Sequence, residues 1–100
     1  MIRRLIVRPE AEADITEAAL WYEERATGLG VELVGEIGSA IRRATETPLI
    51  FPLLRRSPEV RRVLTRRFPY RVFFIVRGEV VVVFALVHAA RHDRHWRGRL

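Results

Sequence analysis

Val80 to Val87 form the longest apolar run of the chain, eight residues set between Gly78-Glu79 and His88. The run is far shorter than the roughly 18–20 residues a membrane span requires. Bounded by a turn signal and rich in β-branched residues, it reads as a buried, central strand. The rest of the chain must supply that strand with neighbours and cover.

The neighbours are legible in order. Ile2 to Val7 reads as a first strand, with Leu5, Ile6 and Val7 at its apolar end. Arg8-Pro9-Glu10 opens a helix, since proline has no N–H to leave unpaired in the first turn, and Glu10, Glu12 and Asp14 suit the positive end of the helix dipole. Ala11, Ile15, Ala18, Ala19, Tyr22 and Ala26 recur at helical spacing as one buried stripe. Thr27-Gly28-Leu29-Gly30 breaks the pattern. A second helix carries Leu33, Val34, Ile37, Ile41 and Ala44 and stops at Thr47-Pro48. So short a break predicts an antiparallel helical hairpin. Leu49 to Pro58 reads as a linker whose Ile50, Phe51 and Leu53 plug the core. Three strands follow: Val60–Phe68, Tyr70–Val76 and, after an Arg77-Gly78 turn, Glu79–His88. The expected fold is α+β: an N-terminal strand, a helical hairpin, then a three-stranded antiparallel sheet with the hairpin on one face. Ala89 to Leu100 is a basic tail, with Trp96 as the anchor that pins it to the body.

One hundred residues make one domain, 1–100, and 49% apolar content supplies its core. No signal peptide is evident at the N-terminus. The chain has no cysteine, so disulfide and thiol chemistry are excluded. A cytoplasmic location is the default. The charge is uneven. All 18 basic residues are arginine, with no lysine, asparagine or glutamine, and the net charge is +6. Residues 1–54 hold six arginines and nine acids, a net −3; residues 55–100 hold twelve arginines and three acids, a net +9. Such asymmetry points the second half at an anionic partner: nucleic acid, an acidic protein segment or an anionic membrane surface.

Three groups of residues are candidates for function. In the first, Arg61, Arg62, Arg66, Arg67 and Arg71 lie within eleven residues. Strand alternation puts Arg61 and Arg67 on the face of Val63 and Thr65, and Arg62 and Arg66 on that of Val60 and Leu64. Guanidinium groups stay charged and bind phosphate or carboxylate through paired hydrogen bonds. Solubilising an edge strand would place arginines in the same way. The second group is His88, Arg91, His92, Asp93, His95 and Trp96. His92 and His95 are its candidates for acid–base work, but too few ligands gather for a metal, and His88 reads as the close of the last strand. The third is the acidic first helix. Glu17 and Glu24 stand two turns apart there, as expected of a solvated face. Gly28-Leu29-Gly30 lacks the strand-before, helix-after frame of a phosphate loop. Neither cofactor nor metal is expected.

Taken in order, several segments resemble a known family. They are Arg8-Pro9-Glu10-Ala11 with Asp14-Ile15, Ala19-Leu20-Trp21-Tyr22-Glu23, Gly28-Leu29-Gly30, Pro48 and Phe51-Pro52, Val60-Arg61-Arg62, Arg67-Phe68-Pro69-Tyr70-Arg71-Val72, and His88 with Arg91. This ordered set, spanning nearly the whole chain, resembles the RelE/ParE superfamily of bacterial type II toxins. The resemblance implies the fold read above and a toxin silenced by a cognate antitoxin in a hetero-oligomer, away from membranes. RelE-like members cut mRNA in the ribosome; ParE-like members inhibit DNA gyrase. RelE-like cutting relies on lysines, arginines and a tyrosine near the C-terminus. This chain has no lysine, and its two tyrosines are Tyr22 and Tyr70. Arginine hardly deprotonates and makes a poor base. The Arg-Phe-Pro-Tyr stretch is ParE-like, so gyrase is the favoured target. Arg61, Arg66, Arg67, Arg71, Arg91 and Trp96 are then expected at the target, and Arg62, Tyr70 and Phe73 at the antitoxin. In the nuclease alternative Arg61, Arg67 and Arg91 would hold phosphate and His92 would serve as base. A non-toxic module that kept only antitoxin binding is a third reading.

Overall fold

The structure, a computed structural model, describes residues 3–91 and 94–100. Strand β1 (Arg4–Val7) leads into helices α1 (Pro9–Arg25) and α2 (Leu29–Glu46). A 3₁₀ turn, Pro48–Ile50, precedes strands β2 (Leu53–Arg56), β3 (Glu59–Leu64), β4 (Tyr70–Arg77) and β5 (Val80–His88), and a short helix α3 (Arg94–Arg97) closes the chain. The sheet order is β1-β5-β4-β3-β2, with β1 parallel to β5 and every other pair antiparallel. No helix among the described residues is long and apolar enough to cross a membrane.

The expected order of elements holds, with differences that have physical causes. The linker contains a strand, β2, pairing with β3 through Leu53↔Arg61 and Arg56↔Glu59. Its Leu-Leu-Arg-Arg sequence carries no alternation because it is an edge with little to bury. Ile50 and Leu53, expected in the core, are 76% and 40% exposed, and only Phe51 packs inward, edge-on to Phe74. Strand β3 stops at Leu64, not Phe68, because Thr65 turns the chain: its hydroxyl donates to the Phe68 carbonyl and accepts from the Tyr70 N–H. In the helical stripes, Ala26 and Val34 are exposed.

The two helices approach closely. Gly28 takes φ +88°, a left-handed conformation suited to glycine. A Cβ on Gly30 would meet the Ala19 carbonyl oxygen at 2.5 Å. Glu23 caps the start of α2, accepting from Gly28 N at 2.8 Å and Gly30 N at 3.0 Å.

Both faces of β5 are buried. Val81, Val83 and Leu86 meet α1 and α2, with Leu33, Ile37 and Ala44 opposite. Val82, Phe84, Ala85 and Val87 lie on the other face beneath Trp96, which is 2% exposed and stacked on Phe73 at 5.5 Å. The tail is therefore pinned as expected, and the second face of the sheet is a small core of its own. Strand β1 pairs only with Val80–Val83, which leaves the later half of β5 without a strand on that edge. Side chains stand in for the missing strand. Asp14 accepts the Leu86 N–H at 3.0 Å, and Arg99 donates to the Phe84 carbonyl at 3.1 Å. Arg99 also grips both Asp14 oxygens, at 2.5 and 2.9 Å.

Two substitutions test these contacts. Asp14→Ala strips acceptors from a buried-edge amide and from Arg99, and should cost about 2–3 kcal/mol. Gly30→Ala should cost about 1–3 kcal/mol by overpacking the helix crossing. Urea unfolding followed by circular dichroism measures both; losses below about 0.5 kcal/mol would mean that other contacts secure the edge and the crossing.

Candidate functional site

Strand parity divides the arginines. Arg62 stands opposite Phe73, and Leu64 opposite Arg71, so all four share the face that lies away from the helical hairpin. Arg55, opposite Val60, and Arg77, opposite Val80, extend that face at its two ends. These last two escaped the sequence reading. Arg77 was open to detection at the two-residue period of Arg71, Phe73 and Ile75, but Arg55 lay in an unrecognised strand. The Arg71 guanidinium lies 5.8 Å from the Phe73 ring centroid and donates to the carbonyls of His88 and Arg91 at 3.3 and 2.5 Å. Arg62 Nε is buried with no hydrogen bond among the described residues. Leu64, 52% exposed, sits between the two arginines as an apolar floor open to a partner.

The other expected residues lie elsewhere. Arg61 faces the hairpin side and is held inside the fold: it donates to Glu59 Oε1 at 2.8 and 3.0 Å and to the Phe51 carbonyl at 2.6 Å. It staples the 3₁₀ turn to β3. Arg66 and Arg67 sit on the exposed loop after β3. Glu36 of α2 accepts the Arg67 backbone N–H, and the Arg67 guanidinium lies 3.6 Å from Glu32. That loop is docked on α2. Trp96 and Phe73 are core residues, so only their surroundings are open to a partner. Arg91 is exposed at the rim, and His92 lies outside the described residues.

Tyr70 is the junction. It lines a shallow groove with Arg62, Leu64, Pro69 and Arg71, and a second cleft with Tyr22, His88 and Arg91. Its ring packs edge-on to Tyr22 and His88 at 6.3 and 5.3 Å. Burial, then the charge and hydrogen bond of Tyr22, push its hydroxyl up to about 12. At neutral pH Tyr70 is thus a firmly protonated phenol. The open face can hold anions and apolar groups, and its only phenol is badly matched to moving a proton.

Comparison with known proteins bears on this arrangement. A family model described as the ParE toxin of the type II toxin–antitoxin system parDE matches residues 5–93. A chain of the chromosomal ParDE toxin–antitoxin system from P. aeruginosa shares the fold with a TM-score of 0.73 and 18% identity, over 87% of this chain and 96% of that one. A chain of the RelBE2 toxin–antitoxin complex from Mycobacterium tuberculosis does so with a TM-score of 0.58 and 18% identity, over 88% and 99%. At such identities the likeness establishes the fold alone. No curated protein sequence matches the chain.

The phenol offers a direct check. Tyr22→Phe leaves Tyr70 as the sole tyrosine, and removing the shared hydrogen bond should lower its pKa from about 12 toward 10 while burial keeps part of the shift. Absorbance at phenolate wavelengths during alkaline titration reads this. A raised folded pKa means the unfolded chain ionises first, so Tyr70's contribution to native stability should be constant below about pH 9 and fall as pH climbs from 10 through 12.

Proposed function

The chain belongs to the ParE toxin family of type II toxin–antitoxin systems, and from that premise we propose that it arrests growth by binding DNA gyrase and is neutralised by a cognate antitoxin. The observation that carries this reading is the composition of the open face. Arg62 and Arg71 flank exposed Leu64, with half-buried Tyr70 lining the same groove. Arginine beside apolar and aromatic groups is the make-up of protein-binding hot spots. RNA cleavage by proton transfer asks for a base and an acid with pKa values near the working pH. Arginine does not deprotonate, and Tyr70 is held near 12. The face is therefore built for recognition. The antitoxin would cover the same arginines, and its encounter would be sped by charge if its segment is acidic. A protein partner is also suggested by the toxin–antitoxin assemblies in which the similar structures were found.

The test is gyrase supercoiling with the purified toxin. Inhibition is expected for the parent chain. Arg62→Ala and Arg71→Ala should each weaken it about tenfold or more, as loss of an interface arginine worth about 2 kcal/mol would. Arg67→Ala, whose side chain points at Glu32, should change it little. Supercoiling left intact beside codon-phased breaks in mRNA on translating ribosomes would establish the nuclease reading instead. Expression without growth arrest would leave the antitoxin-binding module.

A further inference from the structure

A second cleft lies on the hairpin side of the sheet, between α1 and the end of β5, with a volume of about 340 Å³. Small-ligand sites typically enclose about 300–1,000 Å³, so the cleft has room for a mononucleotide. Its walls are aromatic: Trp21, Tyr22, Tyr70 and His88. Arg25 stacks over the Trp21 ring at 3.3 Å and steadies the indole.

The charges in the cleft are of two kinds. Asp14 and Arg99 are bound to each other and serve the edge of β5. Glu17 and Arg91 do not take part in that pair. Both are exposed, and among the described residues neither side chain has an ion-pair partner. Both line the cleft together with Tyr70. A ligand that satisfies this site needs an anionic group for the guanidinium, two adjacent N–H donors for the carboxylate, and a flat body between them. Guanine presents N1–H and N2–H side by side. Adenine presents the N1 lone pair at the same place, which a carboxylate repels. A phosphate suits the planar donors of arginine. Base stacking on aromatic side chains is favourable and needs no particular base.

We propose that this cleft binds a guanine nucleotide, free or within single-stranded RNA, with Glu17 reading the base edge, Trp21 stacking on the base, the nearly perpendicular Tyr22 ring bounding it, and Arg91 holding the phosphate. The site is separate from the arginine face, which lies on the opposite side of the sheet; Tyr70 and Arg91 stand at the rim between them.

Trp21 lines the cleft and supplies the signal. Titrating the intact protein with GMP should change tryptophan fluorescence saturably, and Trp21→Phe should abolish that change because Trp96 is buried elsewhere. AMP should bind about tenfold more weakly or worse, the discrimination a paired edge contact provides. Glu17→Gln, at an exposed position, should keep the melting temperature and erase the preference for GMP over AMP. Arg91→Ala should make GMP bind no better than guanosine. A guanine-containing RNA oligonucleotide that binds more tightly than GMP would assign the site to RNA; equal affinity would assign it to the free nucleotide. Equal affinity for AMP and GMP in the parent protein, or no saturable heat or fluorescence change up to about 1 mM GMP, overturns the proposal without touching the gyrase assay.

Discussion

The half-open edge of β5 is the constraint on which the remaining structure depends. A strand of eight apolar residues must be covered on two faces and satisfied along two edges. The hairpin covers one face, and Trp96 with its tail covers the other. Strand β4 satisfies one edge in full, but β1 satisfies only half of the second, since the chain leaves the sheet at Pro9 to begin α1. Asp14 and Arg99 complete it. A single ion pair thereby ties α1, β5 and the tail together. Partly buried pairs of this kind cost most when one partner is lost, because the survivor stays desolvated.

How far the sequence foretold this depends on the residue. The two helices, β4 and β5 were legible because their apolar spacing is strong and glycine or proline marks their ends. Strand β2 was not, because an edge strand of two leucines and two arginines has no pattern to read. Arg61 and Arg62 are adjacent and chemically identical, yet one is folded into the Glu59–Phe51 contact and the other faces outward. Parity gave the separation between them; only the register of β3 with β2 and β4 gave the direction. The Asp14–Arg99 pair joins residues 85 positions apart, and no local signal marks either partner.

The same division separates charge that maintains the fold from charge that meets a partner. Glu23 and Asp14, on the acidic first helix, cap α2 and close the β5 edge, while Glu32 and Glu36 of α2 approach Arg67 and hold the β3–β4 loop. The acidic first half is thus partly consumed internally. Two second-half arginines, Arg67 and Arg99, are matched to first-half acids in the same way, whereas Arg62 and Arg91 have no ion-pair partner among the described residues.

The parallel pairing of β1 with β5 also sets an order of events during synthesis. Strand β1 is made before both helices, and its partner β5 follows every other strand of the sheet. Until β5 and the Arg99 region have emerged, Leu5, Ile6 and the inner face of α1 have no sheet to join, and Phe73 has no indole above it. Contacts between such distant parts of a chain close late. A chain built this way cannot close its sheet or bury the tail's indole until β5 and the Arg99 region have left the ribosome.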